Sequence, residues 1–313
     1  MKILLIGKPG SITHWLEDAA AALRAEGHIV RVGAVRHSWL DSRIETALIE
    51  PLADALAAAA ARFAPDLILA VGGYHAPPAF IERLAALPGR PPLTGWVGDA
   101  FDGTARAVAA LYDLVAYTDT GLLARHHALD FPGGALFLPH AANLAAPRPP
   151  ERPRSASMIF IGAATPGRLA VAEAIAAPAV FRGPGWGPLR GGGHQVRARR
   201  IPHRKVAGLY AGHLAALNVR NELNVLAGLN QRGFDPCLSA TPVVTDAQGD
   251  LPRCFEPGAE VAVWRDVAEL NAIYDRFQRF PEEAARIGEA GRRRALADHG
   301  YGHRLAALRE ALA

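Results

Sequence analysis

Cysteine is scarce in this sequence: Cys237 and Cys254 are the only two among 313 residues. Two thiols cannot build a disulfide framework, and they are too few for a cysteine-rich zinc site. The pair His126-His127 and the more distant histidines lack the spacing of zinc ligands, and no clustered His/Asp metal motif occurs. We therefore expect no disulfide and no bound metal, and a reducing cytoplasm is the simplest location.

Long apolar runs are also missing. No uninterrupted stretch reaches the roughly 18 residues that a membrane-spanning helix needs. The apolar start at 1–7 is short and is followed at once by Lys8-Pro9-Gly10, which is unlike a signal peptide. We therefore predict a buried first strand and no transmembrane segment.

The glycine motifs of the common nucleotide-binding enzymes are absent. A dinucleotide dehydrogenase carries G-x-G-x-x-G between its first strand and helix. The two corresponding turns here read G-K-P-G-S-I at 7–12 and G-A-A-T-P-G at 162–167. The phosphate loop G-x-x-x-x-G-K-[ST] does not occur either. These absences argue against hydride transfer and ATP hydrolysis, and we expect no cofactor.

The charge of the chain is only mildly basic. It has 34 Lys and Arg against 30 Asp and Glu, which gives a net charge of +4, and the pI is about 9.3. The basic residues are scattered, with local groups at 197–204 and 292–294, and no basic face interleaved with aromatics is recognisable. We therefore predict a solvated surface and no nucleic-acid partner. Peripheral contact with an anionic membrane, or attraction of an acidic nucleotide donor, stays open.

Strand and helix patterns alternate along the whole chain, and half of its residues are hydrophobic. Continuous apolar strands alternating with helices predict an α/β fold of parallel sheets covered on both faces. In the first half we predict strands at 2–7, 28–33, 66–72, 93–98, 114–118 and 135–139, and helices at 15–26, 46–63, 78–87, 103–111 and 121–127. In the second half we predict strands at 158–162, 179–182, 214–219, 242–245 and 260–264, and helices at 168–175, 206–211, 236–239, 267–280, 281–299 and 304–312.

A proline-rich segment separates the two halves. Residues 145–155 contain four prolines, which can continue neither a helix nor a central strand. We therefore predict an N-terminal Rossmann-like domain at 1–146, a linker at 147–157 and a C-terminal domain at 158–313. Ligands of such sheets bind beyond the carboxyl ends of the strands, so the candidate site residues are sought there.

The second half carries an ordered series of short motifs from about 158 to 308. The series includes F-I-G at 160–162 with Arg168 following, R-G-P-G-W at 182–186, N-Q-R-G-F-D at 230–235, T-P-V-V-T-D at 241–246 and F-E-P-G-A-E at 255–260. In this order the motifs resemble the C-terminal domain of the CgeB-like (spore maturation protein) branch of GT-B glycosyltransferases. The resemblance implies two Rossmann-like domains that face each other across a cleft, with the final helix crossing back to the first domain.

Eight residues of the second half are candidates for binding a nucleotide-sugar donor: Arg168, Trp186, Asn230, Arg232, Asp235, Ser239, Thr241 and Glu256. Arg168 lies one helix turn after the Gly162 loop, where a helix start can receive a diphosphate. The planar fork of Arg232 can pair with the same diphosphate. The structural alternatives are a solvated helix residue for Arg168, a core residue for Trp186 and a helix cap for Asp235.

The remaining donor roles follow from neighbourhood and resemblance. Trp186 would lie near the nucleobase, Asn230 would orient the sugar and Glu256 would contact the transferred sugar. Ser239 and Thr241 would offer backbone N–H groups to phosphate. The resemblance gives Asp235 the role of bonding the donor ribose, although the family has glutamate there. Many retaining members of the fold carry a second glutamate where this chain has Ala227, so the stereochemical outcome stays open.

An inverting transfer also needs a base from the first half. The candidates after strand ends are His14, His75, Asp99, Asp102, Asp119 and His140, and we favour Asp99 and His14. The expected function is sugar transfer from a nucleotide diphosphate sugar to a glycan, lipid or protein hydroxyl, without a bound metal. A non-catalytic nucleotide-sugar-binding protein and a nucleotide-sugar epimerase on the same fold remain as alternatives.

Overall fold

The computed structural model describes residues 1–8, 14–35, 42–146, 153–189, 193–198, 201–202 and 205–313. These residues form two compact α/β units, one of Met1–Pro139 with Gly302–Ala313 and the other of His140–Tyr301. Residues 147–152 of the predicted linker lie outside the described residues, as do 9–12 of the first glycine turn and 199–200 and 203–204 of the basic group at 197–204.

The first unit is built on a six-stranded parallel sheet, in the order β2-β1-β3-β4-β5-β6. Its strands are β1 (Lys2–Gly7), β2 (Ile29–Ala34), β3 (Leu67–Val71), β4 (Leu93–Val97), β5 (Leu114–Tyr117) and β6 (Gly134–Phe137). Every residue of β3 and β4 is buried, as expected for central strands covered on both faces. The strand order reverses between β1 and β3, so a crevice is expected at their carboxyl ends.

Helices connect these strands: α1 (Trp15–Ala25), α2 (Ser42–Phe63), α3 (Pro78–Ala85), α4 (Arg106–Ala109) and α5 (Thr120–Ala128). The helix predicted at 103–111 is shorter, because a 3-10 turn at Gly103–Ala105 precedes α4. The end of the chain belongs to this unit as well, since Gly302 N donates to the Glu26 carboxylate at 3.1 Å and Arg304 Nε to the carbonyl oxygen of Pro139 at 2.8 Å.

The second unit has its own six-stranded parallel sheet, in the order β12-β11-β10-β7-β8-β9. Its strands are β7 (Ser155–Ile161), β8 (Ala179–Arg182), β9 (Gln195–Arg197), β10 (His213–Asn218), β11 (Val243–Asp246) and β12 (Ala262–Trp264). The chain builds one side of this sheet from β7 to β9 and then crosses to β10 on the other side of β7. The switch point of this sheet therefore lies at the carboxyl ends of β7 and β10.

The helices of the second unit are α6 (Pro166–Ala174), α7 (Val206–Ala211), α8 (Leu251–Cys254), α9 (Val267–Arg279), α10 (Pro281–Asp298) and the start of α11 (Tyr301–Leu312). Helix α6 begins with a cap and a proline, because the Thr165 side chain accepts from Arg168 N and Pro166 follows directly. None of the helices in the described ranges is both long enough and apolar enough to traverse a bilayer.

The α/β architecture with two Rossmann-like sheets is confirmed. Among the strands and α-helices, two short elements were missed: β9 within a basic, glycine-flanked stretch, and α8 where Pro252 masks a helical turn. Each unit has its own core, with Ile68, Phe80 and Val115 buried in the first and Phe160, Phe181 and Leu217 buried in the second.

Candidate functional site

The loop that follows β7 is closely packed at the switch point of the second sheet. A Cβ atom added to Gly162 would lie 2.9 Å from Nη1 of Arg232. The Trp186 indole N–H donates to the carbonyl oxygen of Gly162 at 2.9 Å. Gly183 has φ +134°, and a Cβ there would overlap the same carbonyl group. Glycine at 162 and 183 thus lets backbone and guanidinium approach each other closely.

Two buried arginines converge on this loop, and both were predicted from the sequence. Arg168, 4% exposed, donates from Nε to the carbonyl oxygen of Val219 and from Nη1 to that of Ala163, both at 3.0 Å. Arg232, 8% exposed, reaches the carbonyl oxygen of Ile161 at 3.4 Å. The guanidinium carbons lie 5.2 and 5.1 Å from the centre of the same Phe160 ring, within cation–π range.

The charges of Glu222 and Asp246 act on Arg168, and those of Asp235 and Asp246 act on Arg232, from beyond ion-pair distance. Among the described residues, no carboxylate lies within salt-bridge distance of either guanidinium. Burial, and next the charge of Arg232, lower the pKa of Arg168 to about 9, and burial also lowers the pKa of Arg232. Both guanidinium groups keep a positive charge at neutral pH.

Two asparagines complete the surroundings of Arg232. Asn218, fully buried at the end of β10, accepts from Arg232 Nε at 3.3 Å and donates to Thr245 at 3.1 Å. Asn230 accepts from the backbone N–H of Arg232 at 3.0 Å. Its Nδ2 is buried and has no hydrogen-bond partner in the described part of the chain. A buried amide donor is expected to have a partner, so Asn230 has a donor left for water or a ligand oxygen.

Asn218 was not singled out by the sequence analysis. The signal was a polar residue at the end of an otherwise apolar strand, which at a switch point favours a functional role over a packing role.

Asp235 lies at the start of a 3-10 helix, Asp235–Ser239, and is half-buried. Its Oδ1 accepts from Gln231 Nε2 at 2.7 Å, and the same amide donates to the carbonyl oxygen of Ala141 at 2.6 Å. The carboxylate is therefore oriented by Gln231, a residue that the sequence analysis did not consider. Its alternative role as a cap for this helix is not observed, because Phe234 holds the cap position.

Ser239 and Thr241 lie at the amino ends of the strands of the second sheet. Thr241 stands just ahead of β11, and its hydroxyl accepts from Arg154, which stands just ahead of β7, at 2.9 Å. Arg154 also donates to the carbonyl oxygen of Ser239 at 3.2 Å. The structure therefore groups these two residues at the amino ends of the strands, away from Arg168 and Arg232.

Trp186 lies in the core beside the Phe160 ring, and Glu256 lies on the surface. The Trp186 ring is 1% exposed and packs against Phe181 with ring centres 4.4 Å apart, so its indole belongs to the core and acts on the site through the Gly162 carbonyl. Glu256 is exposed in the turn that leads into the amino end of β12, and its backbone N–H bonds Glu260.

A carboxylate occupies the amino end of α6, which the sequence analysis missed. Glu222 accepts from Gly167 N at 2.9 Å and from the Thr165 hydroxyl at 3.1 Å. Burial by itself raises the pKa of Glu222, but hydrogen bonds from backbone N–H groups lower it, and the pKa is lowered overall. Glu222 and Gly167 line a surface pocket of about 310 Å³ with Arg220, Asp246 and Trp264.

The carboxyl edge of the first sheet brings Asp99 and His75 together. Asp99 Oδ2 lies 2.9 Å from His75 Nε2, and the two side chains are 42% and 60% exposed. The bond to Asp99 raises the pKa of His75. His14, by contrast, is 7% exposed and holds the cap position of α1 in a left-handed conformation with φ 51°.

Two other carboxylates considered as bases are helix caps. Asp102 accepts from Thr104 N, and Asp119 accepts from Gly121 N and Leu122 N. His140 is 7% exposed and belongs to the second unit. Within the described residues, no group of three or more His, Cys, Asp or Glu is arranged to hold a metal ion.

Comparisons with known proteins show what parts of the chain resemble. Residues 167–310 match the family model described as glycosyl transferase-like. The MMP alpha-(1->4)-mannosyltransferase of Mycolicibacterium hassiacum is 34% identical over 97 residues, which make up 29% of this chain and 24% of that protein. The chain thus aligns with only about a quarter of the length of this relative.

Solved structures share the fold along the whole chain. Sucrose-phosphate synthase from Thermosynechococcus elongatus has a TM-score of 0.68 at 15% identity, covering 99% of this chain and 98% of that one. Anabaena HepE in complex with UDP-glucose has a TM-score of 0.66 at 17% identity, with 100% and 99% covered. UDP-GlcNAc 2-epimerase from Neisseria meningitidis has a TM-score of 0.58 at 10% identity, with 100% and 99% covered.

The fold is that of GT-B glycosyltransferases. The family model and the mannosyltransferase show that part of this chain is similar to glycosyltransferases. Neither distinguishes the CgeB-like branch from its relatives.

Proposed function

We propose that this protein transfers a sugar from a nucleoside diphosphate sugar to an acceptor hydroxyl, as a member of the CgeB-like branch. The observation that carries the proposal is the pair Arg168 and Arg232, buried at the switch point of the second sheet without a carboxylate partner among the described residues. A diphosphate supplies the negative charge that this arrangement requires.

In this proposal the donor is held by the two arginines at this loop and by the neighbouring Asn230 and Asp235. Arg168 and Arg232 bind the diphosphate, and the buried Nδ2 of Asn230 donates to one of its oxygens. Asp235, fixed by Gln231, bonds the ribose hydroxyls. As the sugar leaves, negative charge grows on the diphosphate, and preorganised guanidinium groups stabilise that charge more in the transition state than in the ground state.

The fold neighbours indicate which donors should be tested first. HepE is known in complex with UDP-glucose, so uridine diphosphate sugars are the first donors to test. The acceptor is a hydroxyl of a glycan, a lipid or a protein, in glycan or surface-polymer assembly or in protein glycosylation. Cys237 and Cys254 are buried and are not joined in a disulfide, which agrees with a cytoplasmic location.

The transfer is proposed to need no metal, because two guanidinium groups neutralise the diphosphate. Turnover in the presence of EDTA should equal turnover without it. A requirement for added Mg²⁺ or Mn²⁺ would refute this part of the proposal while leaving the transfer itself intact.

Nucleotide binding to the variant Arg232→Met tests the proposal. Methionine keeps much of the aliphatic volume and removes the charge, and loss of a charge-assisted contact worth about 2 kcal/mol weakens binding ~30-fold. Titration calorimetry with UDP, GDP and dTDP measures the affinity. Arg154→Met is the matched control, because Arg154 also donates to backbone carbonyls but lies at the amino edge of the same sheet.

The outcomes separate the alternatives. Binding of none of the three nucleotides by the wild type contradicts the proposal. Binding without turnover of UDP-glucose, GDP-mannose or dTDP-glucose identifies a binding protein. Conversion of the sugar of UDP-GlcNAc into its epimer, without an acceptor, identifies an epimerase.

A further inference from the structure

The loop after β10 brings a carboxylate of the chain itself to the start of α6. Glu222 Oε1 accepts from Gly167 N at 2.9 Å, and its Oε2 accepts from the Thr165 hydroxyl at 3.1 Å. Backbone N–H groups at the start of a helix have no partner within the helix and attract negative charge. Glu222 therefore holds the position where the sequence predicted a diphosphate.

The start of α6 is shaped for the oxygen atoms of an anion. A Cβ atom added to Gly167 would lie 2.9 Å from Glu222 Oε1 and 3.0 Å from Oε2, so glycine lets an oxygen reach the backbone N–H. The Thr165 hydroxyl accepts from Arg168 N at 3.4 Å and donates its own proton to Glu222. Any anion that takes this position finds the same N–H and O–H donors.

Arg168 joins this position to the proposed donor site. Arg168 lies in the first turn of α6, and its Nε donates to the carbonyl oxygen of Val219, three positions before Glu222. The opposite charges of Arg168 and Glu222 act on each other. A diphosphate bound by Arg168 would instead meet the like charge of this carboxylate, and like charges repel. The carboxylate and the diphosphate thus compete for one place.

The turn that carries Glu222 can move as a unit. Val225 N donates to the carbonyl oxygen of Asn221 at 2.8 Å, so the turn has a bond of its own. Leu223 and Leu226 are 66% and 44% exposed. Their exposure limits the apolar contact that is lost when the turn leaves α6.

We propose that Glu222 is a built-in competitor of the donor diphosphate: its carboxylate occupies the start of α6 in the free protein and leaves it when the donor binds. The inference rests on the proposed function, because it takes the diphosphate to lie beside Arg168. On binding, Gly167 N–H and the Thr165 hydroxyl exchange a carboxylate oxygen for a phosphate oxygen. The displacement weakens binding of pyrophosphate and of UDP by the same factor. The return of Glu222 after transfer favours release of the nucleoside diphosphate.

Titration calorimetry with pyrophosphate and with UDP, at low ionic strength, compares the full-length wild type with Glu222→Gln and Glu222→Ala. Glutamine keeps an oxygen that can accept from Gly167 N and removes the charge, whereas alanine removes the competing group. Glu222→Gln should bind both ligands about 5-fold more tightly, the upper end of what a carboxylate at a helix start contributes. Glu222→Ala should gain at least as much. A purely structural role predicts the opposite sign, because a loosened start of α6 would weaken binding.

Glu282→Gln is the matched control. Glu282 is exposed in the first turn of α10, so this variant removes the same charge from the start of another helix. Its affinities for pyrophosphate and UDP should equal those of the wild type.

Three results would overturn the inference alone: unchanged or weaker binding by either Glu222 variant, a gain for only one of the two ligands, or an equal gain in Glu282→Gln. Each of them leaves nucleotide binding by the wild type intact. A wild type that binds neither ligand overturns the proposed function at its donor site, and the inference with it.

Discussion

The Trp186 indole N–H donates to the carbonyl oxygen of Gly162 at 2.9 Å. Trp186 is almost fully buried beside Phe160 and Phe181, so the bond ties the loop after β7 to the core of the second unit. The same loop borders Arg232, since a Cβ on Gly162 would lie 2.9 Å from Nη1. A core aromatic residue thereby fixes the position of the loop beside Arg232.

The first prediction concerns this bond. Trp186→Phe removes the indole N–H and leaves a buried carbonyl group unsatisfied, so unfolding should become easier by about 3 kcal/mol, from lost packing and the lost bond. Affinity for UDP should fall as well, because the loop that borders Arg232 is released. Urea unfolding and calorimetry measure the two effects.

Trp264→Phe is the control for Trp186→Phe. Trp264 is also buried, at 6% exposed, but its indole nitrogen has no hydrogen-bond partner among the described residues. Trp264→Phe should therefore lower the free energy of unfolding only through lost packing. Equal loss of stability in the two variants would show that the bond to Gly162 contributes nothing.

The second prediction concerns Gly183. This residue has φ +134°, and an added Cβ would overlap the Gly162 carbonyl group. Gly183→Ala should therefore destabilise the protein by about 2–4 kcal/mol through strain and overpacking. Gly187→Ala, where a Cβ meets nothing within 4 Å, should change the urea midpoint little. Similar midpoints for the two variants would contradict the close approach.

The alternation of strands and helices was enough to predict the fold, because its signals are local. Strands β3 and β4 are continuous apolar runs, and such runs are typical of sheets covered on both faces. Strand β9 has three exposed residues and no such run, so the pattern could not reveal it. Helix α8 spans only four residues, fewer than periodicity can detect.

Site residues were harder to predict, because their positions depend on contacts distant in sequence. Arg168 and Arg232 are 64 positions apart in the numbering and meet over one Phe160 ring. Asn218 and Glu222 were not predicted as site residues, because they bond Arg232 and Gly167 only in the folded unit. Ser239 and Thr241 looked equivalent to Asp235 in the sequence. The 3-10 helix Asp235–Ser239 leads the chain to the amino ends of the strands. There Arg154 donates to the Ser239 carbonyl oxygen and to the Thr241 hydroxyl.

The third prediction concerns the pH dependence of stability through Glu222. The pKa of this carboxyl is lowered from 4.5 in the folded state. A lowered folded pKa gives stability that is complete above the unfolded value and is lost as the pH falls through the folded value. Thermal unfolding of the wild type and Glu222→Gln should therefore differ at pH 7, by about 0.5 kcal/mol at this exposed position, and converge under acidic conditions.

The comparison with Glu282→Gln controls for charge alone. Glu282 is an exposed residue in the first turn of α10, as Glu222 is an exposed carboxylate at the first turn of α6. A difference between wild type and Glu222→Gln that persists at pH 2–3 would argue that its origin is packing and not the ionised carboxylate.

The fourth prediction separates ribose recognition from diphosphate recognition. Asp235→Asn keeps an oxygen that can accept from Gln231 Nε2, so the fold should be preserved. The amide is a weaker acceptor than the carboxylate for ribose hydroxyls, and affinity for UDP should fall ~10-fold for a loss of about 1.4 kcal/mol. Affinity for inorganic pyrophosphate should not change, because Arg168 and Arg232 remain. Parallel titrations with UDP and pyrophosphate measure both values. An equal loss for both ligands would place Asp235 near the diphosphate, and no loss for either would remove it from the donor site.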